Sequence, residues 1–92
     1  MARSSQAVGT TVRGTIVVYN SSDVAITGLT NANFTKLVSY NGSDNSTTVT
    51  ITEIGNGRYG YTMTPMTGGY WHVLIIHSTY NARGWQDEYD VS

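Results

Sequence analysis

Two runs of strict alternation meet at a glycine-flanked turn, and they constrain the fold more than any other stretch of the chain. In 47–54, Val49 and Ile51 point one way while Thr48, Thr50 and Thr52 point the other. In 58–64, Tyr59, Tyr61 and Met63 share one face, and Arg58, Gly60, Thr62 and Thr64 share the opposite one. A period of two is the pattern of a strand with one side against a core. Gly55, Asn56 and Gly57 between the runs mark a tight hairpin turn. The most informative part of the sequence is therefore a β-hairpin with one buried face.

The rest of the chain reads in the same way. A first strand is expected over 12–19, with Ile16, Val17 and Val18 at its centre, followed by a turn at Asn20, Ser21, Ser22 and Asp23. A short strand over 24–26 leads into an irregular stretch, 28–34, whose Leu29 and Phe34 are expected to be pinned into the core. The strand expected over 35–40 has an ambiguous phase, because Lys36 shares parity with Phe34 and Val38, and a bulge is the expected remedy. Segment 41–46 reads as a polar turn. Pro65, the only proline, ends the second hairpin strand because it cannot donate a ladder hydrogen bond. The most apolar strand is expected over 70–77, a loop over 78–84 and a last strand over 85–91. About seven short strands with frequent turn signals are the pattern of an antiparallel two-sheet sandwich. Composition agrees: 30 of the 92 residues are Thr, Ser or Asn, and Leu, Glu and Lys are scarce. These residues favour strands and turns over helices. A chain this short holds one domain. The expected division is a flexible N-terminal arm over 1–11 and a sandwich domain over 12–92.

Several function classes find no support. The formal net charge is −1 and the five Lys and Arg are scattered, so no basic surface for nucleic acid is expected. The chain has no Cys, which removes disulfides, thiolate metal sites and Cys nucleophiles. No long apolar run reads as a membrane span. The start has no apolar leader, so the sequence reads as a complete small protein. His72 and His77 are an odd number of residues apart on one strand and face opposite sides, so they do not form a metal pair. Asp87, Glu88 and Asp90 read as a solvated acidic end. No nucleophile elbow is present. The expectation is a protein without catalytic residues, metal or cofactor.

The run 51–65, with Gly57, Tyr59, Tyr61 and Pro65, is followed by Gly68, Gly69, Tyr70, Trp71, Val73 and Ile75. It resembles filamin-like and invasin-like immunoglobulin domains, in which a Gly-x-Tyr hairpin, a strand-ending Pro and a Gly-x-Trp/Tyr-x-hydrophobic-x-hydrophobic strand follow one another. Gly28, Leu29, Thr30 and Phe34 are similar to the strand-to-loop crossover of the same group. The resemblance implies an immunoglobulin-like β-sandwich and supplies no catalytic residues. Such domains occur in bacterial surface proteins and tailed-phage structural proteins, and the Cys-free, Thr/Asn/Gly-rich composition looks more like a small phage virion protein.

Surfaces are then the place to look for function. Trp71, Val73 and Ile75 share a parity that the resemblance would place in the core with Tyr59 and Tyr61. Tyr70, His72, Leu74 and Ile76 then fall on the outer face, where a contiguous apolar patch with Tyr at its rim would mark a contact surface. Either the arm or the last strand would otherwise have to cover it. A second candidate is Tyr80, Trp85 and Tyr89, whose aromatic rings and neighbouring polar groups would suit a glycan or receptor platform. The expectation is a virion accessory protein, such as a capsid decoration, that docks on other capsid or tail-shell proteins in many copies. The alternative is an adhesin-like module for a host-surface glycan or protein on a bacterial surface.

Overall fold

A computed structural model describes residues 4–92. Its strands are β1 (Ser4–Gln6), β2 (Val12–Val17), β3 (Thr35–Tyr40), β4 (Ser43–Asn45), β5 (Thr50–Gly55), β6 (Arg58–Met63), β7 (Gly69–His77) and β8 (Asn81–Val91), with one 3₁₀ turn at Asn31–Asn33. They form two sheets, ordered β1-β8-β7-β3-β4 and β2-β6-β5. Every neighbouring pair is antiparallel except β1 with β8, which is parallel.

Two hairpins share one turn chemistry. Asn56 and Gly57 join β5 to β6 at φ of 55° and 80°, and Asn41 and Gly42 join β3 to β4 at 49° and 86°. A two-residue turn with both φ positive matches the natural twist of the flanking strands, and Asn-Gly tolerates it best. The second turn allows a strand where the sequence showed only polar residues: Ser43, Asp44 and Asn45 pair with Tyr40, Ser39 and Val38.

The core lies between the sheets. Tyr59, Tyr61, Trp71, Val73 and Ile75 are all buried in it, with Tyr59 at 0% and Trp71 at 2% exposure. Val12, Ile16, Val18, Phe34, Val38, Val49, Ile51, Met63, Tyr89 and Val91 complete it from the strands and their flanking residues.

Besides β4, and β8 starting at Asn81 inside the loop expected over 78–84, three further expectations change. Segment 24–26 is a tied loop rather than a strand. Only Ala25 makes a bridge, to Tyr19, while the Ile26 amide donates to Val18 O at 2.9 Å and the Tyr59 hydroxyl donates to Ile26 O at 2.8 Å. Strand β3 needs no bulge. Its Lys36 side chain follows the inward parity, and its Nζ is caught at the sheet margin by Asn31 O at 3.0 Å and Asn31 Oδ1 at 2.8 Å. Residues 1–3 of the expected arm lie outside the described residues, but the remainder is tied to the sandwich. Ser4–Gln6 runs beside Tyr89, Asp90 and Val91, and the backbone continues with bonds from Val8 N to Ser92 O and from Gly9 N to Pro65 O. Backbone pairing needs no apolar side chains, so composition alone could not reveal this strand.

Candidate functional site

The outer face of β7 is built as its parity predicts. Tyr70, His72, Leu74 and Ile76 stand half-buried on it, opposite Asp90, Glu88 and Gln86 of β8 for the first three, and beside Ser39, Leu37 and Thr35 of β3 for the last three. The face divides into two parts. At one end the polar groups satisfy each other across strands: the Tyr70 hydroxyl donates to Glu88 Oε1 at 2.5 Å, and His72 Nε2 lies 2.9 Å from Gln86 Oε1. At the other end Leu74, Ile76 and Leu37 form an apolar patch, with Leu37 51% exposed. Leu37 completes the patch, and sequence reasoning missed it because the phase of β3 was ambiguous.

Local backbone shape presents this patch. The β7–β8 register shifts between Ile75 and His77, and Gly84 opposite takes a φ of 92°. A Cβ on Gly84 would stand 2.5 Å from Leu74 Cδ1 and 2.9 Å from Ile75 O, so only glycine lets the leucine lie there. Neither expected cover is in place among the described residues. Strands β1 and β8 extend the sheet sideways from β7 instead of crossing its face.

The second candidate group does not assemble. Tyr89 is 5% exposed and belongs to the core, because 85, 87, 89 and 91 share the inward parity of β8. Trp85 packs edge-on to Phe34 with ring centres 6.2 Å apart, and Tyr80 lies against His77 with the rings tilted by 37° and their centres 4.7 Å apart. Tyr80, Trp85 and Tyr89 therefore present no common platform.

Inward parity also carries Asp87 into the sandwich. Its Oδ2 accepts from the Tyr61 hydroxyl, and the Tyr61 and Tyr89 hydroxyls are 2.5 Å apart. A carboxylate cannot donate, so the single Tyr61 proton goes to Asp87 and Tyr89 donates to Tyr61. The chain runs Tyr89 to Tyr61 to Asp87. Burial pushes the Tyr61 phenol far above its usual range, reinforced by the bond to Asp87, and burial likewise raises Tyr89. Both phenols are thus held protonated. Gly14 makes room for this: it pairs with Tyr61, whose ring lies across it, and a Cβ there would meet Cε2 at 2.2 Å. The sequence signal for Asp87 was its parity with Trp85 and Tyr89, masked by the acidic run around it.

No family pattern and no curated protein sequence matches the chain. Among solved structures, the crystal structure of the Lin-41 filamin domain is similar with a TM-score of 0.72 and 15% sequence identity, over 100% of this chain and 86% of that one. The chain thus has an all-β, immunoglobulin-like sandwich fold of the filamin type.

Proposed function

We propose that this domain is a non-catalytic structural module that docks through the outer face of β7, as a small accessory protein on the shell of a phage particle. The observation that carries the reading is the division of that face. Its polar end is internally bonded, while at the other end Leu37 is exposed beside the half-buried Leu74 and Ile76. A contiguous apolar patch rimmed by polar pairs is the form of a protein contact surface. Copies repeated on a symmetric shell would add weak contacts into stable attachment. The partner is another virion protein, of capsid or tail shell, and neighbouring copies of this chain would meet only on the particle.

The test is gradient sedimentation of native particles from the cells that make the protein, with wild type, Leu37→Lys and Leu74→Lys. Wild type is expected to travel with the particles, and both variants to stay at the top of the gradient. Leu37 is more than half exposed, so its variant should melt within about 0.5 kcal/mol of wild type. Wild type remaining at the top, or Leu37→Lys travelling with the particles, defeats the reading.

A further inference from the structure

At the end of the sandwich that carries the β7–β8 turn, Tyr19, Asn20 and Ser21 face Thr79 and Tyr80 across a cleft of about 370 Å³. We propose that this cleft is a binding site for a neutral saccharide. It is separate from the docking face of β7 and is built from residues which that reading does not use.

The chemistry of the lining selects the ligand. A pyranose ring has an apolar C–H face and a rim of hydroxyls. It is recognised by an aromatic face together with neutral groups that both donate and accept. The cleft supplies two phenol rings, one amide and two aliphatic hydroxyls, and none of its lining side chains is charged. Nothing in the lining would neutralise a phosphate, a sulfate or a sialic acid carboxylate. The size fits the roughly 300–1,000 Å³ usual for small-molecule sites.

Both walls are held in place before any ligand arrives. On one side, Asn20 Oδ1 accepts from the Ser22 amide at 2.8 Å and the Val24 amide at 3.1 Å, while Asn20 N donates to Val24 O at 3.0 Å. Two N–H donors fix that atom as the oxygen, which leaves the amide NH₂ of Asn20 as its free donor group. On the other side, His77 Nδ1 accepts from the Thr79 amide at 3.2 Å and the Tyr80 amide at 3.3 Å. The His77 ring also packs at a tilt against Tyr80 and stands edge-on to Phe34 with ring centres 5.6 Å apart, tying the turn to the core. Tyr19 is anchored through its backbone bridge to Ala25 and keeps 44% of its surface exposed, so its ring is the open aromatic wall. A site whose walls are already ordered loses little entropy on binding.

The cleft is shallow, so single-site affinity is weak and the probe is glycan displayed at high density. The experiment is an array of immobilised neutral oligosaccharides containing glucose, galactose and N-acetylglucosamine, with sialylated and sulfated glycans alongside. It is read with wild type, Tyr19→Ala, Ser21→Asp and Leu37→Lys. Wild type and Leu37→Lys are expected to retain one class of neutral glycan. Tyr19→Ala and Ser21→Asp should bind it at least about tenfold more weakly, with unchanged melting temperatures. The Leu37→Lys protein separates this site from the docking face, since it should lose particle attachment and keep glycan. Retention of no neutral glycan by wild type, retention of acidic glycans only, or undiminished binding by Tyr19→Ala overturns the proposal.

Discussion

Around Phe34 the interior is made of ring edges; around Tyr61 it is made of hydroxyls. Phe34 meets Tyr59, His77 and Trp85 edge-on, with ring centres 5.6, 5.6 and 6.2 Å away. The polar atoms of this half are turned to the margin, where the Tyr59 hydroxyl binds Ile26 O and receives the Leu29 amide at 3.3 Å. In the other half, Tyr61 and Tyr89 point their hydroxyls at each other and at Asp87, inside the sandwich. One half is held by shape and dispersion, and the other by a directed chain that works only if all three members are present. Different perturbations should break them.

The largest effect is expected in the Phe34 half. Phe34→Ala removes a buried ring and its three aromatic neighbours' contacts, and should destabilise the domain by roughly 3–5 kcal/mol in urea unfolding. Gly14→Ala comes next. Its methyl group would press on a Tyr61 ring that cannot rotate away without leaving Asp87, and about 1–3 kcal/mol is expected. Pairing this change with Tyr61→Phe sharpens the point. If the hydroxyl chain is what holds the ring, Gly14→Ala should cost less in the Tyr61→Phe background than in wild type, whereas strict additivity would mean that packing alone fixes it. Tyr61→Phe by itself leaves Asp87 without its donor and should cost about 1–3 kcal/mol.

The same contrast explains what the sequence made legible. Period-two alternation identified the inner Tyr59 and Tyr61, because apolar burial writes itself into residue type at alternate positions, while Trp71, Val73 and Ile75 were assigned inward through the resemblance, since the run 70–77 is apolar on both parities. That assignment also left Leu74 and Ile76 on the outer face. Features that rest on backbone bonding or on polar pairing stayed hidden. Strands β1 and β4 consist of Ser, Gln, Asp and Asn, and backbone pairing rather than side-chain type defines them. Tyr89 looked like a surface aromatic because it stands between Glu88 and Asp90, although its parity with Val91 runs inward. Asp87 looked solvated for the same reason. The cleft of Tyr19 and Tyr80 joins positions 61 residues apart, and only the fold brings them together.

The smallest expected effect near neutrality becomes visible in alkali, and only in the Tyr61 half. Tyr61 and Tyr89 are raised above the ordinary tyrosine value, chiefly by burial. Below about pH 10 the folded and unfolded chains both hold these protons, so the full contribution to stability is present. Above it the unfolded chain releases them while the fold keeps them. Stability should then fall with rising pH, by about 1.4 kcal/mol per pH unit for each tyrosine that stays protonated. Urea unfolding from pH 8 to 11, with tyrosinate absorbance followed in parallel, reads both quantities. Asp87→Asn keeps an acceptor for Tyr61 but removes the negative charge that opposes ionisation, so tyrosinate absorbance of the folded variant should rise at lower pH than in wild type, while the onset of the alkaline decline, set by the unfolded chain, stays where it is. Phe34→Ala should lower the whole stability curve without moving the folded-state tyrosinate rise. A tyrosinate rise displaced in Phe34→Ala as far as in Asp87→Asn would mean that the two halves of the core respond as one, and the distinction between them would fall.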